Sequence, residues 1–209
     1  MAFQLRTIIY MQASWIKVLL IAFSLSFTGV ASADETENTC EYDREAMLAL
    51  DQQAFDQDPH GGWRVLARHP ECREVAADLI RDYRQVHDND STTMLWHEGQ
   101  MRAYADQYDQ AIALFEQTRR PAEQDLFGWN PYLDATVAFL EDDYASLQDA
   151  RDALSRVPYP DDEILPKDEH GNPVELDWPL NMHVVERLVA CFGKRYDEAY
   201  GDCEEQQTP

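Results

Sequence analysis

Apolar residues recur along this chain at spacings of three and four, and strict alternation is never sustained. The clearest case is the stretch 94–120, MLWHEGQMRAYADQYDQAIALFEQTRR. Leu95, Gly99, Arg102 and Ala103 fall on one stripe of a first helix. Tyr108, Ala111, Ile112, Leu114 and Phe115 form the apolar face of a second, with a tight turn at Asp106-Gln107 between them. The same reading predicts helices over 42–55, 63–68, 72–86, 132–141, 145–157, 180–191 and 196–200. Pro70 breaks one pattern, and Asn89-Asp90-Ser91 supplies a loop and a helix cap. Asn130-Pro131 reads as a helix start, with Asn130 as the cap. The segment 158–179 holds Pro158, Pro160, Pro166, Pro173 and Pro179 among many acids, and is predicted as a long loop. The fold class expected is therefore all-α, built from antiparallel helical hairpins.

The hairpins echo one another. Tyr104-Ala-Asp-Gln-Tyr108 is matched 36 residues on by Leu140-Glu-Asp-Asp-Tyr144. Phe192-Gly-Lys-Arg-Tyr196 follows 52 residues after that, the excess matching the proline-rich insertion. Gly99, Tyr108, Ala111 and Phe115, with Pro121 beyond them, alternate small and aromatic residues in a spacing that resembles the tetratricopeptide repeat. The stretch departs from that family at Arg102, where an aromatic is usual, and at Asp106, where a small residue is usual. The resemblance implies a short right-handed array of stacked hairpins. It also implies that the first helix of each hairpin lines a concave binding face. Carried onto this chain, that face comprises Trp96, Gln100, Tyr104, Trp129, Tyr132 and Thr136.

The two ends read differently from the middle. Residues 1–33 have the pattern of a signal peptide: Arg6 and Lys17, an apolar run over 18–30, and Ala31-Ser32-Ala33 before an abrupt acidic change. Translation could start at Met1 or Met11. A single helical-repeat domain is expected over 34–203, and a disordered tail over 204–209. Loss of the signal would leave 15 basic residues against 40 acidic ones. Such a surface repels phosphate backbones and anionic lipid, which argues against a nucleic-acid role. It suits solubility, a basic partner or loosely held divalent cations. No membrane span is expected after cleavage.

Four cysteines in an exported chain predict two disulfides. Three connectivities are possible; Cys40–Cys72 with Cys191–Cys203 is favoured. The first pairing requires the short helix at Trp63 to carry the chain back along the preceding helix. The second requires Gly201 to end the last helix, so that Cys203 can fold back.

Chemistry is sparse. There is no Cys-x-x-Cys, no His-x-x-x-His, no phosphate-binding glycine loop and no Gly-x-Ser-x-Gly elbow. The acidic run around Asp161 and Asp168 lacks EF-hand spacing, so neither metal nor cofactor is expected. The function expected is non-catalytic binding of a protein or peptide, as an accessory subunit in the bacterial envelope, periplasmic or secreted. The alternative is a hydrolase between the central hairpin and the proline-rich loop, using Glu98, His97 or His183.

Overall fold

The computed structural model describes residues 40–201 and 203. The signal segment 1–33 and the tail 204–209 lie outside the described residues. Among the described residues there is no strand, and the chain is all-α. The helices are α1 (Arg44–Leu48), α2 (Arg64–Ala67), α3 (Arg73–His87), α4 (Thr92–Tyr104), α5 (Tyr108–Glu116), α6 (Trp129–Leu140), α7 (Tyr144–Ser155), α8 (Met182–Ala190) and α9 (Tyr196–Tyr200). From α3 onward each helix packs on the next, and α9 also packs back on α4. No helix among the described residues is long and apolar enough to cross a membrane.

The N-terminal helix expected over 42–55 is broken. Asp43 caps α1 through the Ala46 amide, at 3.0 Å. The chain then bends, and the Asp51 carboxylate takes the Ala54 amide at 2.8 Å, starting a separate π-helical turn over Gln53–Gln57. The Leu50 carbonyl, freed by the bend, accepts a bond from the buried Tyr83 hydroxyl at 3.0 Å. Phe55 stacks on the Tyr83 ring at 3.7 Å. A side-chain cap in mid-pattern therefore overrides the helical period. The chain then returns through α2, and Cys40 and Cys72 are bridged with Cα atoms 5.3 Å apart.

Helix α4 is the pivot. Eight of its thirteen residues are buried, because it has core on two sides. Met94 and Met101 belong to the N-terminal core with Phe55, Trp63, Leu66, Leu79 and Ile80. Trp96 and Ala103 belong to the C-terminal core with Phe115, Leu133, Leu147, Leu154 and Leu188. Gly99 lets α5 close in: a Cβ at that position would sit 2.5 Å from the Phe115 ring. Glu98 and Arg102 face α3, where Glu98 pairs with Arg84 and Arg102 reaches Asp78 at 2.7 Å. Arg102 also donates to Gln107 at 2.8 Å, so the residue that departs from the repeat pattern ties the helix to its own turn.

The α4–α5 and α6–α7 turns share a backbone. Asp106 and Asp142, 36 positions apart, both adopt φ 59°. The third echo is less faithful. Helix α8 ends at Ala190, two residues earlier than the match to Leu140 requires, and the left-handed position falls on Gly193 at φ 82°. Asn130 is not the cap of α6. Asp125 accepts the Trp129 and Asn130 amides at 2.6 and 2.7 Å, and Asn130 instead clasps the Arg120 backbone through two bonds. The insertion 158–179 is free of helix and is anchored by the buried Leu165. Cys191 and Cys203 are bridged across a turn, with Cα atoms 6.2 Å apart.

Candidate binding cleft

Where α9 folds back on α4, the surface holds a shallow, open cleft. Its floor is the α4 stripe of Gln100, Met101 and Tyr104; Tyr200 of α9 forms one wall. The opposite wall is Gln57, Pro59, Trp63, the α2 residues Arg64 and Ala67, and Arg68 just past the end of α2. The volume is about 580 Å³, within the range of small-ligand and peptide sites.

Each wall is fixed locally. The Gln100 amide donates to the Tyr200 hydroxyl at 3.1 Å, joining residues 100 positions apart. Tyr104 packs edge-on to Tyr200 and against Tyr196, and the Arg73 guanidinium lies 4.7 Å over its ring. Arg73 is itself held by Asp197 at 3.1 Å. Burial, and then the adjacent Tyr200, push the Tyr104 hydroxyl well above its ordinary pKa, so it stays a neutral group. On the other side, Gly62 adopts φ 52° against the Phe55 backbone, where a Cβ would be 1.8 Å from the Phe55 carbonyl oxygen. That close approach sets the angle at which α2 leaves.

Beneath the Trp63 wall lies a buried carboxylate. Asp56 Oδ1 accepts from Trp63 Nε1 at 2.9 Å and from His97 Nδ1 at 2.6 Å, and Oδ2 accepts from Gln57 at 2.5 Å. Burial alone would raise its pKa; the His97 hydrogen bond and charge, with the Trp63 and Gln57 donors, outweigh it and hold the carboxyl below its usual value. The ionised Asp56 makes Nδ1 the donor and fixes the imidazole plane. Among the described residues, neither a hydroxyl nor a thiol is hydrogen-bonded to His97.

The six residues placed on the concave face do not form one open strip. Gln100 and Tyr104 line the cleft. Trp96, Tyr132 and Thr136 are core instead. Trp96 packs at tilted and edge-on angles against Phe115, Trp129 and Tyr132, and the Thr136 hydroxyl donates to the Tyr132 carbonyl at 3.0 Å. Trp129 is half-buried over them, with its indole nitrogen donating to the Thr118 carbonyl at 3.0 Å. The hairpins pack closely enough that this aromatic face fills itself. The residues named for hydrolysis do not converge either. Glu98 is turned to Arg84 across α3, His97 to Asp56, and His183 is exposed on α8. Among the described residues, no group of three or more His, Cys, Asp or Glu side chains could hold a metal ion.

The α2 wall and Tyr200 were not legible as site residues. Arg64 and Arg68 stand four apart, which places them on one helix face, but nothing in their spacing says what that face overlooks. Comparison of the chain with protein-family models, with curated proteins and with solved structures found no match.

Proposed function

We propose that this chain is a non-catalytic binding module that takes a peptide or an extended protein segment in the cleft between α2, α4 and α9. It would act as an accessory subunit of the bacterial envelope, periplasmic or secreted, on a scaffold related to the tetratricopeptide repeats. The observation that carries this reading is the lining. Tyr104 and Tyr200 offer half-buried aromatic surface above the buried Trp63 and Met101, with Gln100 and two arginines among them, and no lining carboxylate, imidazole or thiol is available for acid–base or nucleophilic work. Aromatics and arginine interspersed with polar groups are what dominate the energetics of protein recognition. The two disulfides support export.

The test is affinity capture from an envelope extract with residues 34–209, beside an Ala67→Trp variant that fills the cleft from its wall; Ala67 also packs against the N-terminal core, so a thermal melt first shows that the variant is folded. A partner held by the parent and lost by the variant supports the reading. A partner retained by both moves the interface elsewhere and overturns it, as does the absence of any partner.

A further inference from the structure

Resting on that reading of the cleft, we propose that its occupant is an acidic peptide segment whose carboxylates are held by Arg64 and Arg68. The chain has 40 acidic residues against 17 lysines and arginines, and among the described residues most arginines hold a carboxylate, Arg120 and Arg156 being, like the two at the cleft, exceptions. Arg73, Arg84, Arg102, Arg119 and Arg195 each hold one or more. Arg64 and Arg68 form no ion pair among the described residues. Both line the cleft, and no Asp or Glu lines it with them. Three other surface recesses are the opposite. That between α7 and α8 is lined by Asp149, Asp152 and Glu186, with an Arg151 that the last two already hold, that between α6 and α7 by Asp134 and Glu141, and that at the start of α5 by Asp106 and Asp109.

The two guanidiniums are also held in place. Arg64 Nε donates to the Asp56 carbonyl at 2.8 Å, and its Cζ lies 4.3 Å over the Trp63 ring. One Arg68 terminal nitrogen is engaged by the Pro59 carbonyl at 2.9 Å and by His60 Nδ1 at 2.8 Å. Among the described residues, no hydrogen bond engages either terminal nitrogen of Arg64, nor Nε and the second terminal nitrogen of Arg68. An anchored, planar fork loses little freedom when a carboxylate meets it. Ionised Asp56 lies beneath the Trp63 wall and Asp58 stands between Gln57 and Pro59, so the two guanidiniums act against nearby carboxylates, but they are the charged groups that line the cleft itself. Tyr104 and Tyr200 add half-buried aromatic surface for the residues flanking the carboxylates. The surrounding acidic surface would reject a basic segment nowhere, but this cleft would.

The probe is a displayed library of random peptides, panned against residues 34–209 at physiological salt. Individual selected peptides are then titrated beside their Glu→Gln and Asp→Asn analogues. The proposal expects selected peptides rich in Asp and Glu next to apolar residues, with the amide analogues weaker by about tenfold or more, the size of a charge-assisted hydrogen bond. An Arg64→Gln and Arg68→Gln double variant, folded by thermal melt, should weaken the acidic peptide similarly and leave its amide analogue unchanged. A neutral or basic pool that Ala67→Trp abolishes overturns the acidic occupant and leaves the cleft standing. A pool indifferent to Ala67→Trp, or no pool at all, removes the cleft and the acidic occupant together.

Discussion

Asp56 Oδ1 lies 2.6 Å from His97 Nδ1, although 41 positions separate the two residues. Asp56 is fully buried, and its carboxylate also receives Trp63 and Gln57. The cluster joins the π-helical turn, the α2 wall and α4, so it holds one side of the cleft against the other. Asp56→Ala should cost about 3 kcal/mol, since it strips three donors of a charged partner inside the fold. Chemical denaturation at neutral pH measures this.

The same carboxylate sets an acid limit. Its pKa in the folded chain lies below that of the unfolded chain. Its contribution is therefore complete at neutral pH and is lost as the pH falls below about 4, through the folded value. Asp82 and Asp197, held low against burial by Arg44 with Arg81 and by Arg195 with Arg73, act in the same direction. Melting curves taken from pH 7 down to about pH 3 should show this loss, and Asp56→Ala should lose less than the parent over the same range.

Glu98 is a harsher test of the α3–α4 interface. Its side chain is 5% exposed, and Arg84 and Arg102, at 12% and 4%, share it. Removing the acid would leave two enclosed guanidiniums short of a counter-charge. Glu98→Ala should cost about 3–5 kcal/mol. Glu98→Gln, which keeps the shape and hydrogen-bonding capacity, should fall between the two. A cost no larger than that of an exposed substitution would show that the network is wet rather than enclosed.

Gly99→Ala should destabilise even though alanine is the better helix former. The added methyl would meet the fully buried Phe115 ring at 2.5 Å, and that ring has no room to retreat. Overpacking of this kind costs about 1–3 kcal/mol, against a helix-propensity gain of about 1. A net gain on thermal melting would mean that α5 yields.

The two disulfides should differ in worth. Cys40–Cys72 closes a separation of 32 residues and Cys191–Cys203 one of 12. On chain entropy alone, losing the first costs roughly 3.5–4 kcal/mol and the second roughly 3. Paired Cys→Ala variants compared by denaturation would give the order; equal losses would point to residual structure in the unfolded chain.

Hairpins were legible where local period and packing agreed. The α4–α5 and α6–α7 units declare themselves through Gly99, Ala111, Phe115 and their later echoes, because each is a short-range object. The N-terminal helix misled, since Asp51 cannot be told from an ordinary exposed acid until its carboxylate is seen on the Ala54 amide. The aromatic face misled for a different reason. Trp96 and Tyr132 sit where a repeat array would be open, and only the packing of Trp129 above them shows that it is closed. The cleft itself depends on meetings that no local pattern encodes: Gln100 with Tyr200, Arg73 with Asp197, and Asp56 with His97.

No carboxylate, imidazole or thiol lines the cleft. Those are the groups that change charge across the middle of the pH scale, while arginine keeps its proton throughout. The chain as a whole responds to acid through dozens of carboxylates, yet the lining of this recess keeps a constant face. A pH profile of its occupancy, measured where the fold is intact, therefore reports whatever is bound there together with the groups just behind the lining, His60 against Arg68 and the Asp56–His97 pair beneath Trp63.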